Sequence, residues 1–261
     1  WRLQMKTRTV IAAIIGLTFL AALSSIHASA QGEPVRVLAS NGVKAAFADL
    51  SKETEAAIGH PLAVEYAPTT AHRQKIESGE AFEVAILTSD VIDLLIKEGK
   101  ITASGRLDVG HSGIGVGVRA GTKKPDIGTP DAIKQTLLNA KAVTYAEDGA
   151  SRPHIEKMFD GLGITDKMKP KLVLVKGSDA SLDAVQSGRA DIIITLISEI
   201  MPVKGVELVG PLPEKFQSYI SFTAGVSSTA KNADSANNLV KFLSSPKAAA
   251  TFKAKGIQAG K

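Results

Sequence analysis

Between residues 35 and 50 the chain passes from a short apolar run through a polar turn into a helical stretch, and this unit limits the folds open to everything after it. Val35, Val37 and Leu38 form the run, Ser40-Asn41-Gly42 supplies turn and cap residues, and Val43, Phe47 and Leu50 recur at helical spacing. A strand running straight into a helix exposes the first backbone N–H groups of that helix, which lack intrahelical partners and sit at the positive end of its dipole. Such a mouth attracts anions.

The same alternation recurs along the chain. A second strand is expected over 61–66, then Ala67-Pro68-Thr69-Thr70 and a helix over 71–78, with Thr69 or Thr70 as N-cap. Residues 83–87 read as a buried strand and 90–98 as a helix ended by Gly99. Strands are expected at 142–146, 172–175, 190–196, 206–208 and 219–226, and helices at 152–162, 178–187, 235–243 and 246–255. Thr129-Pro130-Asp131 caps a further helix, and Ser151 with Pro153 opens another anion-ready mouth. Strands and helices alternating at this spacing predict an α/β fold with a parallel sheet, whose ligands lie beyond the carboxyl ends of the strands. The run His111-Ser112-Gly113-Ile114-Gly115-Val116-Gly117-Val118-Arg119 has no helix after it, so it is no phosphate loop; its alternation of small and apolar residues predicts a closely packed hinge or crossover strand.

The first thirty residues have a different character. Arg2, Lys6 and Arg8 precede an apolar run over 10–23, and Ala28-Ser29-Ala30 offers small residues for cleavage. This predicts a secretory signal peptide over 1–30, with Met5 as its start and a periplasmic destination; the run is short for a membrane span. Without those three basic side chains the formal charge drops from +5 to +2. Basic residues are scattered with no interleaved aromatics, so nucleic acid is not an expected partner. The chain has no Cys, which excludes thiolate catalysis and Cys-metal sites and suits an oxidising compartment.

Ser40, Asn41, Thr69, Thr70, Ala150, Ser151 and Ser198 all fall in loops after strands, where neutral donors aimed inward can hold an oxyanion. His72 and Arg73 follow one such loop, and Arg152 and His154 another. Guanidinium groups bind carboxylates through paired hydrogen bonds, so these two Arg/His pairs suggest a ligand with more than one carboxylate. His72, Glu147, Asp148 and His154 are the acid–base candidates should the chain catalyse a reaction. No nucleophile elbow or zinc-protease motif is present, the His residues lack metal-ligand spacing, and no metal or cofactor is expected.

Several stretches together carry a resemblance: the opening strand with Ala39-Ser40, the segment from Tyr66 through Pro68-Thr69-Thr70 to Ser78-Gly79, Phe82-Glu83-Val84-Ala85-Ile86-Leu87, Gly188-Arg189-Ala190-Asp191-Ile192, and Phe242-Leu243-Ser244-Ser245-Pro246. Over about 35–256 the chain resembles the molybdate-type periplasmic solute-binding proteins of ABC importers. The resemblance implies a two-lobe type II periplasmic-binding-protein fold joined by two crossover strands, with 34–113 plus 221–261 as lobe one and 114–220 as lobe two. It also implies a small anionic ligand in the cleft, a monomer, and an ABC permease as partner. Ser40, Asn41, Thr69 and Thr70 would bind from the first lobe, and the loop Ala150-Ser151 and the stretch from Thr195 to Ser198 from the second. Ser198-Glu199 also reads, from the residues, as a further polar lip after a strand. Against the family pattern the first loop has become Ser40-Asn41-Gly42 and the second Pro68-Thr69-Thr70-Ala71, with Arg73 and Arg152 added nearby. Some relatives with this resemblance isomerise aconitate in the periplasm, which gives an alternative expectation of an isomerase acting on an unsaturated polycarboxylate.

Overall fold

The computed structural model describes residues 32–259. The expected signal peptide over 1–30 lies outside the described residues. β1 (Val35–Ser40) passes through one 3₁₀ turn (Asn41–Val43) into α1 (Lys44–Ile58), followed by β2 (Leu62–Ala67), α2 (Thr69–Glu77), β3 (Val84–Thr88) and α3 (Ser89–Lys97). The long β4 (Leu107–Arg119) leads to α4 (Pro130–Asn139), β5 (Val143–Ala146), α5 (Arg152–Leu162), the short α6 (Thr165–Met168) and β6 (Leu172–Val175). Then come α7 (Ser178–Gln186), β7 (Ile192–Leu196), the one-turn α8 (Ile197–Ile200), β8 (Val206–Pro211), β9 (Tyr219–Val226), α9 (Ala233–Leu243) and α10 (Pro246–Ala254).

The strands lie in the order β2-β1-β3-β9-β4-β7-β5-β6, with β8 also on β4. β1 is parallel to both β2 and β3, and β5 is parallel to both β6 and β7. β4 joins the two parallel groups, as the Gly-rich run predicts. From Leu107 to Gly113 it pairs with β9, and from Ile114 onward with β7 and β8. Its glycines answer to close packing: a Cβ on Gly117 would lie 2.8 Å from Ile193 Cγ2, nearer than real Cβ contacts come. The chain returns beside β4 through the segment between β8 and β9, so two crossovers connect two lobes.

Alternation along the strands explains why helices cover both faces. On β1, Val37 and Ala39 face a core shared with Phe47 and Leu50 of α1 and Leu239 and Leu243 of α9, while Leu38 faces Ile76 of α2 and Ile92 and Leu95 of α3. β7 does the same in the second lobe, with Ile192 and Ile194 on one side and Ile193 packed with Leu182 and Val185 of α7 on the other. Each fully buried Phe or Leu of this kind contributes about 1.5–3 kcal/mol. α9 and α10 pack against α1, bringing the end of the chain back to its first unit.

Helix ends follow local chemistry. Thr129 caps α4 by accepting from Ala132 N at 3.1 Å, with Pro130 at the first position. Gly59, at φ 72°, ends α1 in the left-handed region. α2 departs from expectation: its N-cap is Pro68 rather than Thr69 or Thr70, with no side-chain cap. The Thr69 hydroxyl instead accepts from Thr88 N at 3.4 Å, tying the end of β3 to the start of α2.

Candidate functional site

Four helices begin at one point because the four strands feeding them end there. Ser40 and Asn41 at the start of the α1 unit, Pro68 and Thr69 at α2, Ala150 and Ser151 at α5, and Ser178 at α7 all line one inner cavity of about 20 Å³. Two of these mouths come from each lobe. Their first-turn amides and hydroxyls are the donors an anion needs, and all four dipoles place positive potential there. The end of β7, with Thr195 and Leu196, and the first turn after it, with Glu199 of α8, close the wall.

The inner cavity shares Thr69, Gly149 and Ala150 with an outer chamber of about 460 Å³. Thr70, Ser89, Asp148, His154, Tyr219 and Ser221 are among its walls. Such a pair of spaces suits a ligand whose anionic group enters the inner cavity while the remainder lies outside. At about 20 Å³ the inner space exceeds the minimum for a single water only slightly.

Hydrogen bonds leave several hydroxyls at the cavity for a ligand. Ser151 makes no side-chain cap bond to α5, and Ser40 accepts only a long one, 3.4 Å, from Gly42 N. Gly42 lets the first helix approach β9: a Cβ there would run into the Phe222 ring. The loop before α5 is fixed from two sides, by Arg152 Nη1 donating to Glu147 O at 2.8 Å and by Gly177 N donating to Asp148 Oδ1 at 2.8 Å. On the far wall the Thr195 hydroxyl donates to Glu199 Oε2. Burial pushes the Glu199 carboxyl up from its ordinary range, against hydrogen bonds from Thr195 and Ser178 that pull it down.

Residues 35–258 match the family described as bacterial extracellular solute-binding protein. The chain belongs to that family. Over 228 residues it is 27% identical to an aconitate isomerase of Pseudomonas sp., covering 85% of this chain and 86% of that one. It is 25% identical over 240 residues to the molybdate-binding protein ModA of Azotobacter vinelandii, covering 87% and 91%. The solved periplasmic molybdate-binding protein of Azotobacter vinelandii superposes with a TM-score of 0.75 at 15% identity, covering 87% of this chain and all of that one. The fold is that of the type II periplasmic binding proteins.

Within this solute-binding fold the residues singled out from sequence divide into two groups. Ser40, Asn41, Thr69, Ala150 and Ser151 meet at the inner cavity, and Thr70 and His154 line the outer chamber. Both arginines turn away. Arg73 lies outside both spaces, with Nε 2.6 Å from Glu77 and a guanidinium nitrogen 4.0 Å from Glu98. Arg152 is spent on Glu156, at 2.7 Å, and on Glu147 O. His72 is another correction: it is fully buried behind β1, and its Nε2 donates to Ala39 O at 3.0 Å. Ser198 faces the groove behind the cavity, where its hydroxyl is buried with no partner among the described residues.

Ser178 is the polar cavity residue that sequence reasoning passed over, whereas Thr195 and Glu199 are reached only as the start of the family-matched stretch and as part of a polar lip after a strand. Ser178 follows a strand just as Ser40 does, so the same pattern marks it. Thr195 interrupts an otherwise wholly apolar strand, and Glu199 stands one helical turn beyond it. Among the described residues no three His, Asp or Glu side chains gather as metal ligands.

Proposed function

We propose that the chain captures a small anion between its lobes in the periplasm, as a monomer, and delivers it to an ABC permease in the membrane. The observation that carries this reading is the convergence of four helix starts, two from each lobe, on a cavity whose lining, among the described residues, includes no Lys or Arg. Dipoles and amides stabilise negative charge there without a fixed cation. Ser40, Asn41, Thr69 and Thr70 would bind from lobe one, residues 34–113 plus 221–261, and Ala150, Ser151, Ser178 and Thr195 from lobe two, residues 114–220. Because the donors come from both lobes, the ligand makes its full set of contacts only in the closed form, and this differential affinity drives closure. The relatives' ligands frame the choice: molybdate is the ligand of one, aconitate the substrate of another. Titration calorimetry with molybdate, tungstate, sulfate, citrate and aconitate tests the reading. Binding of at least one supports it, and no heat with any of the five overturns it.

A second reading, an isomerase moving the double bond of an unsaturated polycarboxylate such as aconitate, is favoured by the proton-carrying groups at the site. Asp148 and His154 line the outer chamber and Glu199 the inner cavity. Aconitate bound across both spaces would present its carbon chain to these groups. Incubation with aconitate in D2O, followed by proton NMR, separates the readings. A shifted double bond with deuterium incorporation indicates turnover, and unchanged ligand indicates binding alone.

A further inference from the structure

Among the described residues lining the inner cavity, Glu199 alone carries a titrating side chain. It stands on α8, held by Thr195 from the end of β7 and by Ser178 from the start of α7. Asn41 at the start of the α1 unit also lines the groove behind it. The charged groups on that groove are already matched: Lys44 lies 2.8 Å from Asp179 and Lys255 2.8 Å from Asp49. An ionised Glu199 and an ionised ligand would therefore share a space of about 20 Å³ with no cation lining it. Like charges so placed repel beyond what the helix dipoles offset, and a single proton shared between them relieves that repulsion.

Building on the anion-capture reading, we propose that Glu199 is a specificity-determining residue that shares one proton with the bound anion. The site then selects anions basic enough to accept a hydrogen bond from a carboxylic acid, carboxylates ahead of the weakly basic sulfate. When both partners are ionised before binding, the complex takes one proton from solvent. No bond other than that O–H forms.

The test is calorimetry with aconitate, molybdate and sulfate in buffers of different ionisation enthalpy, above about pH 6, where small carboxylic acids are ionised in water. At pH values high enough for free Glu199 to be ionised, wild-type protein should take up close to one proton per aconitate bound, with affinity falling up to about tenfold per pH unit. Glu199→Gln keeps a donor at the position and should bind with little pH dependence and no proton uptake. Thr195→Val removes a donor to the carboxylate and should move the pH dependence upward, an effect a purely structural role would not produce. Binding without proton uptake at every pH up to mildly alkaline and without any fall in affinity as pH rises, equal uptake by wild type and Glu199→Gln, or sulfate binding as tightly as aconitate would each overturn the proposal while leaving anion capture intact. Failure of every anion to bind would instead remove the reading beneath it. Should Glu199→Gln fail to fold, the wild-type proton count decides.

Discussion

Gln217 clasps the backbone of Ile114 with both ends of its side-chain amide: Oε1 accepts from Ile114 N at 3.0 Å, and Nε2 donates to Ile114 O at 3.0 Å. Ile114 is where β4 changes its pairing from β9 to β7, and Gln217 stands in the returning segment, so this residue pair fastens the two crossovers together. Ile114 keeps other backbone partners in Ser218 and Leu212. Gln217→Ala is therefore expected to cost about 1–2 kcal/mol without unfolding the chain, measured as a lower urea midpoint at unchanged slope.

His72 gives stability a pH dependence. Burial lowers its proton affinity below that of a free imidazole, while the bond to Ala39 O pulls the other way. The folded protein holds the ring neutral and unfolding lets it charge, so the unfolded state binds more protons below about pH 6.5. Stability contributed in this way is present above that pH and lost as pH falls through the lowered folded value. His72→Gln, which can still donate to Ala39, should lose less stability than wild type between neutral and mildly acid pH, as read from paired urea titrations.

Gly42 sits where the first helix meets Phe222 of β9. Gly42→Ala must displace that buried ring, and overpacking of this kind costs about 1–3 kcal/mol. The shift also moves the Asn41 end of the cavity. A lower melting temperature together with weaker anion binding is the expected outcome, checked by calorimetry on both counts.

Arginine and serine should part company in binding. Arg73→Ala leaves the cavity lining intact and is expected to keep affinity within about threefold, since exposed ion pairs are worth little. Ser151→Ala removes a hydroxyl that caps nothing else, and losing a hydrogen bond to a charged ligand should weaken binding about 10- to 100-fold. Circular dichroism of each variant checks that the fold survives.

Strand–helix alternation was legible from the apolar runs and from the turn residues between them, and the hinge role of β4 from its alternating glycines. Ser40, Thr69 and Ser151 were legible as a set because each follows a strand and opens a helix. The arginines misled because their guanidinium chemistry was read without their neighbours. Glu77 and Glu156 each stand four residues on, on the same helix face, and capture them. His72 looked available until its spacing from Ile76 is considered, which puts both on the buried face of α2. Thr195 and Glu199 come together only because α8 begins at once after β7, a turn whose direction depends on packing against the rest of the fold.

Backbone amide shifts in nitrogen–proton NMR, followed while the tightest-binding anion of the calorimetric panel is added, test the site most directly. Amides of Asn41, Thr70, Arg152 and Asp179, at the four helix starts, should shift together along one binding curve. Shifts confined to one lobe, or clustered away from these positions, would contradict a ligand held between the four helix mouths.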